Sequence, residues 1–218
     1  MVNEIENVNL RVQIGELIDR RWKVTKILGE GAFGAVYEVE DATNGKSYAL
    51  KLEQNNLLDP SQNMLKLEVT VLRFLRNSGA KCCPGYESCG QNEKFNYVVM
   101  GLVGQNISSL KKKLPFKRFT LRSCLHIGMV SCRGIEEIHN IGFVHRDFKP
   151  ANMAVGRPPN YRNVYVLDWG LCRRFVNEQG RMIPARRKAP YRGTPRYSSA
   201  NSLAEKEQGR VDDMWSWV

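Results

Sequence analysis

The chain has 218 residues, 42% of them hydrophobic and 25% charged, which excludes a disordered or fibrous polypeptide and leaves room for one large or two small domains. Its formal net charge of +11 permits acidic protein, acidic lipid or nucleic acid partners without saying anything of fold. The opening MVNEIENVNL is polar and acidic, unlike a signal peptide, and no apolar run approaches membrane-spanning length. The expectation is therefore a soluble intracellular protein, cytoplasmic with the nucleus also open, whose six cysteines (Cys82, Cys83, Cys89, Cys124, Cys132, Cys172) are reduced. CCPGYESC has no second Cys or His pair at zinc spacing, so these thiols are read as buried or loop residues.

The first part of the chain reads as strands: WKVTKILG, AVYEVED and, after the turn signal Asn44-Gly45, KSYALKLE. In the third, alternation puts Tyr48, Leu50 and Leu52 on one face and Ala49 and Lys51 on the other. A helix is expected from Asp59-Pro60-Ser61 through MLKLEVTVLRFLR to a stop at Gly79. FNYVVMGLV is a continuous apolar strand. Beyond a break near Gly101 to Ser108 the pattern turns helical. From Thr120, Leu121, Leu125, Gly128, Cys132, Ile135 and Ile138 recur at helical spacing and end at Gly142. Short strand-like pieces surround FVHRD, NMAV and VYVLD. Strands first and helices after suggest a small sheet-rich lobe joined to a helical one.

Gly29-Glu30-Gly31-Ala32-Phe33-Gly34-Ala35-Val36 is a G-x-G-x-x-G run. By itself it can mark only a turn. A dinucleotide site places such glycines between a strand and a helix; here they lie between two strands, a form that suits a flap whose N–H groups close over phosphates. Lys51 follows on the next strand. Facing inward among apolar neighbours it needs an anion, which phosphates and the helix carboxylate Glu68 would supply; the plainer alternative is an exposed lysine at a strand edge. The strongest signal is His145-Arg146-Asp147-Phe148-Lys149-Pro150-Ala151-Asn152, which matches H-R-D-x-x-x-x-N. In phosphoryl transfer the hydroxyl must be oriented, a metal held and developing charge neutralised. Asp147 can accept the hydroxyl proton, Asn152 can ligate Mg²⁺ and Lys149 can sit against the transferring phosphate. Leu167-Asp168-Trp169-Gly170 adds a carboxylate at a strand end, and Asp168 would hold the metal that bridges the phosphates.

With these motifs in this order, the chain resembles the eukaryotic protein kinase superfamily from about Trp22 to its last residue. There is no A-P-E closing the segment after Gly193-Thr194. Instead Ser199-Ala200-Asn201 resembles the triplet of the casein kinase 1 superfamily, and NEKFNYVVM, YRGTPRY and GRVDDMWSW look most like the tau-tubulin kinase branch. The resemblance implies an α+β bilobal protein-kinase fold, with a small antiparallel sheet-rich N-lobe and a mainly helical C-lobe. It divides the chain into an extension over 1–21, an N-lobe with hinge over 22–103, and a partial C-lobe over 104–218. It implies ATP and Mg²⁺ as cofactors and a serine/threonine kinase activity, with catalytic roles for Lys51, Glu68, Asp147, Lys149 and Asn152. Leu28, Gly29, Glu30, Gly31, Ala32, Phe33, Gly34, Val36, Ala49, Lys51, Met100, Leu102, Val103 and Asp168 would bind nucleotide. Met100 would be the gatekeeper, the backbone near Leu102 and Val103 would bind adenine, and Leu167 would line the adenine pocket. Asn152 and Asp168 would be the metal ligands, and Asp212 would brace the catalytic loop. Arg146 and Arg196 would form an anion site for acidic or pre-phosphorylated protein substrates.

Between Trp169 and Ala200 there are eight basic residues (Arg173, Arg174, Arg181, Arg186, Arg187, Lys188, Arg192, Arg196) against one acid, Glu178. Such a run reads either as a solvated face or as an acidic-substrate site. Trp169, Gly101 and Leu203 depart from the family's usual residues. Val218 falls within the first turns of the helix that anchors the family's C-lobe. The expectation is thus an incomplete C-lobe, Trp215 and Trp217 exposed, and weak turnover. The alternative function is a weak or inactive kinase-like binding module. No stacking-aromatic or groove-reading motif supports nucleic acid binding, no membrane association is expected, and the chain is read as a monomer.

Overall fold

A computed structural model describes residues 12–31, 34–55 and 64–218. The described residues group into two compact units, one within Met1–Leu65 and Glu87–Leu102, the other within Lys66–Tyr86 and Val103–Val218. The sequence reading places a single change near residue 103; the contacts instead group residues 66–86 with the later part of the chain. Among the described residues no helix is long and apolar enough to cross a membrane.

The first unit is a six-stranded sheet in the order β1-β2-β3-β4-β6-β5. Its strands are β1 (Leu17–Ile18), β2 (Trp22–Gly31), β3 (Gly34–Asp41), β4 (Ser47–Gln54), β5 (Tyr86–Gln91) and β6 (Phe95–Gly101). The expected strands are β2, β3, β4 and β6; β1 and β5 carry too few apolar residues to announce themselves. Alternation sorts the sheet into two faces. Trp22, Val24, Tyr37, Val39, Leu50, Leu52, Phe95, Tyr97 and Val99 share one buried cluster with Val12 and Ile18, and Tyr48 packs against it. The turn from β3 to β4 is built on Asp41, which accepts from Thr43 N (2.9 Å), Thr43 Oγ1 (2.7 Å) and Asn44 Nδ2 (3.1 Å) while Arg21 forks onto it. The Arg21 guanidinium holds this carboxyl below the usual carboxylate range.

Helix α1 spans Met64–Asn77; the start expected at Asp59-Pro60-Ser61 lies outside the described residues. Its first described amides find an acceptor on β4: Glu53, 8% exposed, accepts from Met64 N at 3.0 Å and Leu65 N at 2.8 Å. These orphan helix-terminal donors carry partial positive charge that a carboxylate suits. Glu53→Ala is expected to lower stability by about 1–2 kcal/mol, with Glu53→Gln intermediate; thermal unfolding checks it, and a wild-type midpoint for both would remove the cap.

The second unit contains α2 (Ile107–Lys113), α3 (Leu121–Asn140), β7 (Phe143–Val144), β8 (Met153–Val155), β9 (Val164–Val166), β10 (Arg173–Arg174), α4 (Ala200–Leu203) and α5 (Arg210–Trp217). Thr120 caps α3 by accepting Ser123 N at 3.2 Å, and Gly142, at φ 84°, ends it by donating to His139 O at 3.0 Å. The inner face of α3 is Ser131, Gly134, Ile135 and Ile138. A Cβ at Gly134 would meet Val166 at 2.8 Å, so a glycine is what lets α3 lie close on β9. Leu121 and Leu125, expected inside, are 74% and 58% exposed. Trp217, expected exposed, is instead half-buried, its indole N–H within reach of Gly128 O (3.2 Å) and Ser131 Oγ (3.1 Å), whereas Trp215 is exposed.

Candidate active site

Several expected nucleotide-binding residues meet on the second face of the first unit's sheet. Cα pairing sets Lys51 between Val36 and Val98, and Ala49 beside Met100, so side chains at 36, 49, 51 and 100 share that face. Ala49 and Met100 are buried there at 7% and 8% exposure. The glycine run is the β2–β3 hairpin, with Gly29 opposite Val36 and Gly31 opposite Gly34; Ala32 and Phe33 at its tip lie outside the described residues. The glycines differ in cause. A Cβ at Gly34 would run into the Leu52 carbonyl, so the sheet requires that glycine, whereas at Gly29 nothing lies within 4 Å. Leu28 and Glu30 are exposed on the same strand, and Leu102 is half-buried at the end of this unit.

The catalytic loop belongs to the second unit, as do Glu68, buried on α1, and Val103, half-buried. Asp147 is 7% exposed and is held from three sides. Lys149 Nζ donates to Oδ2 at 2.7 Å, Asn152 Nδ2 donates to the same oxygen at 3.0 Å, and Thr194 Oγ1 donates to Oδ1 at 2.7 Å. Lys149 Nζ also donates to Thr194 Oγ1 at 2.7 Å. Thr194 thus puts a hydroxyl on the candidate base; the sequence reading used it only as a landmark beside Gly193. Because Asn152 spends its NH₂ on Asp147 O and Oδ2, its amide oxygen is left for a cation.

Asn152 and Asp168 come together through a short ladder. Met153 pairs with Val166, and Leu167 N donates to Asn152 O at 2.8 Å, so both residues emerge at one end of the β8–β9 pair. Asp168 sits in the left-handed region at φ 66°, a conformation that costs a non-glycine residue about 1–3 kcal/mol and tends to be kept where function needs it. Behind it, Trp169 is buried against the His145 ring at 5.1 Å between centroids. His145 locks the two loops: its Nδ1 accepts from Asp147 N at 3.2 Å, leaving Nε2–H to donate to Leu167 O at 3.2 Å.

The loop is braced by Asp213, not by Asp212. Asp213, 1% exposed, accepts from His145 N and Arg146 N, both at 2.8 Å, and contacts His139 Nε2 at 2.9 Å. Asp212 turns the other way, accepting from Gly209 N (2.6 Å), Ser199 Oγ (2.5 Å) and Asn201 Nδ2 (3.1 Å), so it caps α5 and ties down α4.

Arg146 and Arg196 have different surroundings. Arg196 is exposed and lines a groove of about 1090 Å³ with Lys111, Arg118, Lys149 and Tyr197. Arg146 is half-buried, its Nε donating to Leu171 O at 2.7 Å. Burial, then the nearby Arg186 and Arg173 charges, lower its pKa to about 10. Much of the basic run is neutralised by acids just beyond it: Glu207 meets Arg173 at 2.8 Å and Arg186 at 2.6 Å, and Glu205 meets Lys188 at 2.9 Å. Burial opposes ionisation of Glu207, but the side-chain and backbone donors of Arg186, with the Arg173 and Arg186 charges, outweigh it and hold the carboxyl at about 2.

A family model described as a protein kinase domain matches residues 22–217. A probable serine/threonine-protein kinase of Dictyostelium discoideum is 40% identical over 209 residues, which is 95% of this chain and 41% of that protein. A putative serine/threonine-protein kinase of Caenorhabditis elegans is 39% identical over 216 residues, 95% of this chain and 60% of the relative. A putative casein kinase I of the same organism is 32% identical over 208 residues, with the same two coverages, 95% and 60%. The chain spans about half the length of the curated relatives it matches.

Proposed function

The chain belongs to the protein kinase domain family, and from that membership we propose that it is a serine/threonine kinase moving the γ-phosphate of ATP onto a protein hydroxyl. The observation that carries this reading is the Asp147 carboxylate, buried and gripped by Lys149, Asn152 and Thr194 beside the Asn152–Asp168 pair. Asn152 and Asp168 offer the amide and carboxylate oxygens that suit Mg²⁺, which is commonly completed by water and phosphate oxygens rather than by an all-protein cage. Bound there, the ion would offset charge on the phosphates. The apolar face formed by Val36, Ala49 and Met100 suits a flat adenine ring, and Lys51 on the same face suits phosphate oxygens.

The chain's own residues then divide the work by position. Asp147 takes the substrate hydroxyl in place of Thr194, orients it and accepts its proton as the phosphoryl group transfers. Lys149 stays within reach of both oxygens and offsets the charge that develops between them. Asp213 and His145 act through the backbone and hold Asp147 in register with Asp168.

The finer reading places the chain in the casein kinase 1 group, near its tau-tubulin kinase branch, with acidic or phospho-primed substrates. The Ser199-Ala200-Asn201 triplet and the exposed Arg196, which shares a largely apolar groove with Lys111, Arg118 and Lys149, support it. The test is incubation of the chain with labelled Mg-ATP and either casein or a neutral serine peptide. Arg196→Glu is expected to lower kcat/KM for the acidic substrate on the order of tenfold and for the neutral one by less than about twofold, and KM for the acidic substrate should rise with salt. Absence of transfer to either substrate would overturn the kinase reading, and equal losses on both would overturn the acidic preference alone.

A further inference from the structure

We propose that one edge of the second unit, formed by the end of α2, the turn after it and the outer side of α3, is a docking surface for an anionic phospholipid bilayer. From Lys94 to Ile135 the chain contains no Asp or Glu. Within that stretch Lys112, Lys113, Lys117 and Arg122 are exposed, and among the described residues none of the four has an ion-pair partner. Helix polarity explains only part of this. The lysines at the end of α2 suit the partial negative charge of a helix C-terminus. Lys117 and Arg122 instead flank Thr120, the N-cap of α3, where the same effect favours anions, and the first turn of α3 holds no acid. Cations placed there work against the fold's own electrostatics and are free to meet an anion outside it.

The apolar residues of this edge are equally out of place in water. Phe116 is 93% exposed, on a turn where it and Lys117 take left-handed φ angles of 55° and 51°; holding two non-glycine residues there costs free energy. Along α3, Leu121, Leu125 and Met129 are 74%, 58% and 60% exposed. Their i, i+4, i+8 spacing turns only about 40° per step, so they form one stripe outside the buried face of Gly134, Ile135 and Ile138. His126 Nε2 lies 2.7 Å from Arg162 O, which brings the β8–β9 turn, with exposed Tyr161 and Arg162, beside α3. That turn is also free of acids, from Phe148 to Leu167. Single apolar tips standing among cations suit a bilayer. The cations meet headgroup phosphates, and each tip enters the headgroup–acyl boundary without needing a matching pocket. A nucleic acid or a polyacidic protein segment would satisfy the charges but leave Leu121, Leu125 and Met129 in water. The sequence expectation of no membrane association rests on the lack of a long apolar run, which a surface contact does not need.

The test needs no turnover, so its outcome stands apart from the kinase reading. The full chain would be sedimented with vesicles of phosphatidylcholine, or of an equal mixture with phosphatidylserine, over a range of salt. Wild type should bind the mixed vesicles at least about tenfold more tightly than the neutral ones, and less tightly as salt rises. Lys112→Glu, Lys113→Glu and Lys117→Glu combined should cost about tenfold or more on mixed vesicles; these three lie outside the Arg196 groove. A control combining Lys23→Glu, Lys26→Glu and Lys46→Glu makes the same change in net charge and should cost less than about threefold. Phe116→Ser should weaken binding about threefold or more with its salt dependence unaltered, because it removes an apolar insertion and no charge. Equal binding to both kinds of vesicle, no binding of wild type, or equal losses in the patch and control variants would overturn the proposal. A Phe116→Ser chain that binds as wild type does would overturn the lipid occupant. Tighter binding of single-stranded RNA or poly-aspartate than of mixed vesicles would likewise put a polyanion in its place. All the substituted residues are exposed; should the triple variant fail to fold, Phe116→Ser and the choice between vesicles still decide.

Discussion

Asp147→Asn is expected to lower turnover by about 10²–10⁴-fold, the range a positioned proton acceptor contributes, while Mg-ATP affinity stays within about threefold. The amide matches the carboxylate in shape but cannot take the proton, and it presents an NH₂ toward Lys149 or Thr194, whose present bonds of 2.7 Å are donated to a carboxylate. Asp168→Asn should abolish transfer as well, for a different reason. It emerges with Asn152 at one end of the β8–β9 pair, so its loss should weaken Mg-ATP binding together with kcat. Equilibrium nucleotide binding measured beside initial rates separates the two. Near-wild-type turnover in both variants would remove these residues from the chemistry, and an Asp147 variant that loses nucleotide binding would make it a structural carboxylate.

The largest loss of stability is expected at Asp213. Truncation to Ala strands the N–H groups of His145 and Arg146 and removes the partner of His139, at a residue only 1% exposed. Removing one side of such a buried charged network costs about 3–5 kcal/mol. For a domain of this size that corresponds to a thermal midpoint lower by roughly 6–20 °C. Hydrogen exchange locates the effect: the His145 and Arg146 amides should lose protection in Asp213→Ala and keep it in Asp212→Ala, where Gly209 and the Ser199–Asn201 stretch should loosen instead. The reverse pattern would return the bracing role to Asp212.

Adjacent aspartates at 212 and 213 show why the sequence reading stopped where it did. Two neighbours on a helix point about 100° apart, and which one meets the catalytic loop depends on the rotation of α5 against α3. Nothing in GRVDDMWSW records that rotation. Glu53 is similar, since its partners Met64 and Leu65 lie eleven and twelve residues further along the chain, beyond the reach of any local pattern. The charges along the basic run did not reveal their partners for the same reason: Glu205 and Glu207 lie just past its end in sequence but against Arg173, Arg186 and Lys188 in space.

The sequence by itself determined the strands β2, β3, β4 and β6, the two faces of β4, the long helix α3 and the placement of Asp147, Asn152 and Asp168 on loops beside short strands. Those features repeat within a few residues, where the pleat, the helical turn and the H-R-D-x-x-x-x-N spacing tie residue type directly to geometry. Only the tertiary structure decided that Thr194, 47 residues away, would sit on Asp147, that Asp213, 67 residues from Arg146, would hold its amide, and that Gly134 rather than Leu121 or Leu125 would face the core. Such contacts join a side chain to a distant hydrogen-bonding partner or pack one element's face against another. They are chosen by how whole elements rotate and approach, a choice made when the core closes and left without a period in the chain.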